Sequence, residues 1–168
     1  ETGGRHVVVA DFSWPRAEMK RLILASRSTV VLDHHQTAEA ELSGILDELQ
    51  QIGQRQESDD IVFDMERSGA GITWDYFADR HGTCEVCGAA GPHHQGCEFA
   101  KRPALVNYVE DRDLWRMKLK NTHEYNANIY AAPMTFESWD ALAERSLPEM
   151  VSRGEAILGY MHQYGTKG

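Results

Sequence analysis

Three side chains that bind metals or carry protons stand together directly after an apolar run, in the segment VVLDHHQTAEAELSGIL at 30–46. They are Asp33, His34 and His35. A neutral imidazole is a good ligand for a transition metal, and a neighbouring carboxylate can fix its tautomer. Because adjacent residues at a strand end point to opposite sides, we predict that one histidine binds metal and the other contacts substrate. The alternative is a solvated histidine pair in a loop.

Further acids stand where a metal or a phosphate could bind. Asp11 ends the segment HVVVAD, and its carboxylate could bridge two divalent cations, as in-line hydrolysis of a phosphoester requires. The segment YVEDRDLW at 108–115 supplies Glu110, Asp111 and Asp113 as candidate metal ligands. Arg112, in the same segment, could hold a phosphate in a bidentate fork. The plain alternatives are a helix-capping Asp11 and a charged helix end at 108–115.

The three cysteines of the chain lie close together, in the segment CEVCGAAGPHHQGC at 84–97. Four protein ligands for a tetrahedral metal are available there: Cys84, Cys87, Cys97 and either His93 or His94. This spacing predicts a closed structural zinc knuckle over 83–98. A redox Cys-x-x-Cys is the alternative, but such a motif normally opens a helix, and this one lies among glycines. An odd, clustered count argues against a disulfide framework and favours a reducing, cytoplasmic setting.

Short apolar runs alternate with helical patterns in a way that would position these residues. Strands are predicted at 6–12, 28–33 and 60–65, and helices at 14–27, 37–55, 68–82, 102–115 and 135–163, with Pro148 dividing the last or starting its final segment. The alternation predicts an α/β fold with an open, mainly parallel sheet, flanking helices and a helical C-terminal part. Ligands of such sheets bind at the carboxyl ends of the strands, where we expect Asp11 and Asp33.

The bulk composition limits the classes of protein that the chain can represent. A length of 168 residues suits one domain, predicted over 5–164, and the ends at 1–4 and 165–168 are interpreted as cloning leftovers. No apolar run is long enough to cross a bilayer, so no membrane partner is expected. The net charge of −9 argues against tracking along duplex DNA and favours a short or small anionic substrate.

The combination of VVVAD, VLDHH and YVEDRDLW resembles the DHH family of phosphoesterases, which includes RecJ-type exonucleases, oligoribonucleases and family II pyrophosphatases. The stretches VFDMERSGAGITWDYF and RPALVNYVEDRDLWRMKL are similar to oligoribonuclease-like bacterial and phage members. The resemblance covers roughly 6–160 and is absent at 83–98, which looks like an insertion. It implies a DHH-type domain that uses Mn²⁺ or Mg²⁺ to hydrolyse a phosphodiester in a short oligonucleotide or small nucleotide.

The resemblance also implies a role for individual residues. The implied metal ligands are Asp11, His34 and Asp111, with Asp113 as the alternative to Asp111. His35 would contact the scissile phosphate. Asp33 would orient the histidines without binding the metal itself.

The sequence departs from the family at both ends. Family members carry a His-x-x-x-Asp-x-Asp motif before the equivalent of Asp11, and the ten residues before Asp11 lack it. The family's C-terminal substrate-binding subdomain is also missing after the helix that contains Gly154. A second hypothesis is therefore a non-catalytic binding module derived from a DHH protein. A third is that another chain or segment supplies the missing first strand.

Overall fold

A computed structural model describes residues 3–78 and 102–165 of the chain. The sequence predicts one domain over 5–164, whereas the chain divides into two compact units, Glu1–Arg80 and His81–Gly168, which are described in turn. The predicted zinc knuckle at 83–98 lies outside the described residues. No described helix combines the length and the apolar character that a bilayer-spanning segment needs.

The first unit is an α/β layer around three parallel strands. Its elements are β1 His6–Ala10, α1 Arg16–Ala25, β2 Ser28–Asp33, α2 Gln36–Leu42, α3 Ile45–Gln51, β3 Asp60–Phe63 and α4 Gly69–Ala78. The strand order is β1-β2-β3, and both pairings are parallel. The predicted α/β class with an open parallel sheet and flanking helices is therefore confirmed.

The core of the first unit lies between the sheet and helices α1, α2 and α3. Its buried members are Val9, Met19, Ile23, Val31, Leu42, Ile45 and Leu49. The central strand β2 is almost wholly buried, as its apolar run predicts. The strand β1 is less buried than its three valines predict, because it lies at one edge of the described sheet and Val8 is 47% exposed.

The single helix predicted over 37–55 is wrong, because the chain breaks it between α2 and α3. Gly44 adopts φ 71°, a left-handed conformation that glycine tolerates and that ends the first helix. The guanidinium of Arg16, on α1, donates to the carbonyl oxygens of Glu41 and Ser43, each at 2.9 Å. The break therefore depends on a side chain more than 20 residues away, which helical periodicity does not show.

The second unit is helical. Its described elements are α5 Ala104–Asp113, α6 Thr122–Tyr130, α7 Phe136–Ala143 and α8 Leu147–Tyr164. Tyr108, Tyr125, Ile129, Leu142 and Met150 form its buried core. Pro148 lies in the first turn of α8, so the prediction that it starts the last helical segment is confirmed.

Helix α6 is not predicted by the sequence, and its polar composition explains why. Asn126 and Asn128 are buried in it, although asparagine is a poor residue for a helix interior. The side-chain amide of Asn126 donates to the carbonyls of Tyr108 and Thr122, and that of Asn128 donates to the carbonyl of Met150. Tertiary hydrogen bonds thus support a helix that local propensity does not favour.

Candidate functional site

The parallel register of β1 and β2 brings Asp11 to the start of the Asp33-His34-His35 segment. Ala10 pairs with Leu32, and the N–H of Asp11 donates to the carbonyl of Leu32 at 2.9 Å, which extends the ladder by one residue. Asp11 then turns out of the strand with φ 66°. Positive φ is uncommon for a residue with a side chain and marks a position worth explaining.

His34 and Asp11, two of the expected metal ligands, lie close together in the first unit. The Nε2 atom of His34 lies 3.2 Å from Oδ1 of Asp11. The His34 side chain is only 13% exposed, whereas that of Asp11 is 56% exposed. Neighbouring ligand atoms of an octahedral divalent ion, each about 2.1 Å from it, lie about 3 Å apart. The two atoms are therefore spaced as ligands of one ion would be.

Asp33 is the buried anchor behind this pair. Its side chain is fully buried, and Oδ1 accepts hydrogen bonds from the backbone N–H of His34 at 2.8 Å and from the N–H of His35 at 3.3 Å. The Nδ1 atom of His35 lies 2.7 Å from the same oxygen, and the hydroxyl of Ser13 donates to Oδ2 at 2.7 Å. One carboxylate thus binds the backbone of both histidines and the ring of His35.

The ionisation of Asp33 follows from these contacts. Burial alone would raise the pKa of its carboxyl, but the hydrogen bonds from His35, Ser13 and the His34 N–H outweigh burial and lower the pKa below its ordinary value. The group is therefore a carboxylate at neutral pH. A carboxylate only accepts, so Nδ1 of His35 carries the proton in their shared hydrogen bond.

The two imidazoles have different partners. His34 faces Asp11, and His35 faces Asp33 with a side chain that is 55% exposed. Their ring centroids are 4.6 Å apart and their planes lie 62° to each other. The two rings therefore face different carboxylates and differ in their exposure to solvent.

Helix α4 begins directly against Asp11. A Cβ atom at Gly69 would overlap the side chain of Asp11 and would lie 2.6 Å from its Cα. The hydroxyl of the buried Ser68 accepts from the N–H of Gly71 at 3.0 Å and caps the start of the helix. The position of Asp11 therefore requires a glycine at residue 69. In the sequence, only the glycine-rich segment RSGAG at 67–71 indicated a close approach of the backbone at this point.

In the second unit the carboxylate of Asp111 accepts three hydrogen bonds from residues later in the chain. Its Oδ1 accepts from the N–H of Lys118 at 2.9 Å, and its Oδ2 accepts from the N–H of Leu119 at 3.1 Å and from the hydroxyl of Thr122. Burial alone would raise the pKa of Asp111, but these hydrogen bonds outweigh it and hold the pKa below its ordinary value. Asp113, the alternative metal ligand, is exposed at the end of the same helix.

Glu110 and Arg112 also have defined contacts in this unit. The carboxylate of Glu110 accepts hydrogen bonds from both terminal nitrogens of Arg102, at 2.8 and 2.7 Å, so the two side chains form a bidentate pair. The guanidinium of Arg112, expected to hold a phosphate, lies 4.2 Å from the ring centroid of Trp115. The candidate zinc ligands, Cys84, Cys87 and Cys97 with either His93 or His94, lie outside the described residues.

Comparisons with known proteins give no family assignment. No protein-family model matches the chain, and no solved structure matches it. The chain is similar to an uncharacterized protein of Acanthamoeba polyphaga mimivirus, with 28% identity over 159 residues. The match covers 93% of this chain and 30% of the viral protein, so the chain spans less than a third of that relative's length. The DHH resemblance accordingly rests on the motifs themselves.

Proposed function

We propose that the chain is a metal-dependent phosphoesterase domain of the DHH type, acting on a phosphodiester in a short oligonucleotide or small nucleotide. The observation that supports this best is the 3.2 Å approach of His34 Nε2 to Asp11 Oδ1 at the carboxyl ends of two parallel strands. A carboxylate oxygen with an imidazole nitrogen is a ligand set that suits Mn²⁺. The ends of parallel strands are also where open α/β sheets bind ligands.

Each residue at these strand ends has a distinct task in the proposal. Asp11 and His34 would hold a divalent cation. The ion, when bound, would offset phosphate charge and lower the pKa of the attacking water. His35 would contact the phosphate, with its ring held in place by the bond from Nδ1 to Asp33 at 2.7 Å. Asp33 stays buried and ionised and fixes both histidines.

A binding measurement and a turnover measurement together test this proposal. We expect Mn²⁺ to bind the chain, as measured by titration calorimetry, and to support hydrolysis of a generic aryl phosphodiester. His34→Ala removes one metal ligand, so it should abolish turnover. It should also weaken Mn²⁺ binding by about tenfold or more. His162→Ala is a matched control, because His162 is an exposed histidine on α8, and it should change neither quantity.

Two results would contradict the phosphoesterase proposal. If His34→Ala binds Mn²⁺ as tightly as the parent chain, the metal does not use the strand-end pair. If the parent chain binds Mn²⁺ at His34 but turns over no phosphodiester, the non-catalytic binding module replaces the enzyme as the better account.

A further inference from the structure

The loop between α5 and α6, residues 114–121, displays one large aromatic side chain to solvent. Trp115 is 73% exposed, although tryptophan is usually well buried. One face of its indole carries the guanidinium of Arg112, at 4.2 Å from the ring centroid. Because Arg112 covers one face and the residue is still mostly exposed, the exposed surface includes the other face of the indole. No described residue covers that face.

The backbone of this loop is held in a costly conformation. Trp115 has φ 53° and Met117 has φ 49°, both in the left-handed region that residues with large side chains rarely adopt. Each such residue costs about 1–3 kcal/mol and persists only where the surroundings impose it. Strain of this kind is concentrated at ligand-binding positions.

Buried side chains of the second unit impose the loop conformation. The backbone carbonyl of Asp111 accepts from the N–H of Arg116 at 2.9 Å, and its carboxylate accepts from Lys118 and Leu119 as described above. The hydroxyl of the buried Tyr108 donates to the carbonyl of Lys120 at 2.8 Å. Trp115 is therefore presented by a fixed loop, so little entropy is lost when a ligand packs against it.

The sequence that follows Trp115 is basic, although the chain as a whole is acidic. Four of the nine residues at 112–120 are basic and one is acidic: Arg112, Arg116, Lys118, Lys120 and Asp113. Nη1 of Arg116 lies 3.5 Å from Oε1 of Glu110, so the exposed Lys118 and Lys120 are the loop cations that a phosphate would meet. The chain as a whole has a net charge of −9. An exposed aromatic face among basic side chains is the arrangement by which proteins bind single-stranded nucleic acid, the base stacking on the ring and the phosphate meeting the cations.

We infer that Trp115, backed by Arg112, is a stacking platform for a nucleobase of a single-stranded oligonucleotide. The exposed Lys118 and Lys120 of the loop meet the phosphates that flank the base. This inference goes beyond the proposed function, because it assigns a base-binding position to the second unit, and it is tested by binding without any hydrolysis. If the exposed indole instead docked a protein partner, binding at Trp115 would depend on neither a base nor a phosphate.

The test compares two ligands that differ only in their bases. One is a 5′-phosphorylated thymidine dinucleotide, and the other is the same phosphate backbone with two abasic sugars. Binding to the full chain is measured by titration calorimetry in buffer without added manganese. Stacking is worth about 1–3 kcal/mol per base, so the base-bearing ligand should bind about 5- to 150-fold more tightly.

Variants assign this difference to Trp115. Trp115→Ala should remove the preference for the base-bearing ligand and leave the weak affinity for the abasic ligand unchanged, whereas Trp115→Phe should keep most of the preference. Phe136→Ala is the matched control, because Phe136 is an 88% exposed aromatic residue of the same unit, and it should behave as the parent chain.

The outcomes separate this inference from the proposed function. Equal affinity for the two ligands, or a preference that survives Trp115→Ala, would overturn the stacking platform, whatever the chain hydrolyses. His34→Ala should keep the full preference for bases, because no metal takes part in this measurement. A parent chain that prefers bases through Trp115 but lacks turnover would retain the platform and lose the phosphoesterase.

Discussion

At the scale of single residues, Asp33 is the side chain on which the strand-end site depends. It is fully buried, ionised, and bonded to Ser13 and to both histidines. Asp33→Asn removes the charge and one acceptor while keeping the shape. Because such supporting hydrogen bonds orient the ligands, we expect Mn²⁺ affinity to fall about 10- to 100-fold in a calorimetric titration.

A matched control for Asp33→Asn is available in the same unit. Asp59 is also buried and accepts from the backbone N–H groups of Thr29 at 2.7 Å and Gln56 at 2.8 Å, at the opposite end of β2. Asp59→Asn should cost stability, by about 1–3 kcal/mol, without changing Mn²⁺ affinity. Equal losses of affinity in the two variants would mean that Asp33 acts only through the fold.

The residues of the candidate site differ in how well the sequence revealed them. Asp11 and the Asp33-His34-His35 segment were predictable, because each follows an apolar run and parallel strands end at one edge. Ser13 was not, since its bond to Asp33 spans 20 residues and a lone serine carries no pattern. The hydrogen bonds of Asp111 were hidden too, because acids in a charged segment look alike whether they face solvent or bond to the backbone of a following loop.

At the scale of secondary-structure elements, the start of α4 sets the position of Asp11. Gly69→Ala would place a methyl group against the Asp11 side chain, and the helix start cannot yield freely because Ser68 caps it from a buried position. We expect Asp11 to be displaced and Mn²⁺ affinity to fall about tenfold, since a site must keep its geometry to within about 0.5 Å. Calorimetry gives the affinity, and circular dichroism shows whether the helices remain.

Gly159 offers the corresponding control for Gly69. It lies inside α8, and a Cβ atom there would meet nothing within 4 Å. Gly159→Ala should leave Mn²⁺ affinity unchanged and stabilise the chain by about 0.5–1 kcal/mol, as alanine does in an exposed helix interior. If Gly69→Ala also keeps the parent's affinity, then α4 does not position the ligand.

The elements were predictable where local pattern decides them. The three strands and helices α1, α5 and α8 follow from apolar runs, prolines and helical spacing. The break at Gly44 depends on Arg16 from another helix, and α6 depends on buried asparagines that bond to other elements. Sequence pattern carries no record of such distant hydrogen bonds, so both features were missed.

At the scale of the whole molecule, the predictions give the chain two chemically different sets of metal ligands. The strand-end set combines one imidazole with one carboxylate, and a carboxylate is the kind of ligand that suits Mn²⁺ or Mg²⁺. The predicted knuckle at 83–98, outside the described residues, combines three thiolates with one imidazole, which select zinc. Because ligand softness separates these metals, removal of one metal should leave the other in place.

This separation gives a prediction for the metal content of the intact chain. After dialysis, elemental analysis should find about one zinc per chain, held by the three cysteines and one histidine of the knuckle. Cys84→Ser should release that zinc and expose the remaining thiols to a colorimetric thiol reagent, whereas His34→Ala should keep zinc while losing Mn²⁺ affinity. A parent chain with no zinc and three reactive thiols would refute the knuckle. Zinc lost equally in both variants would show that the two ligand sets are not independent.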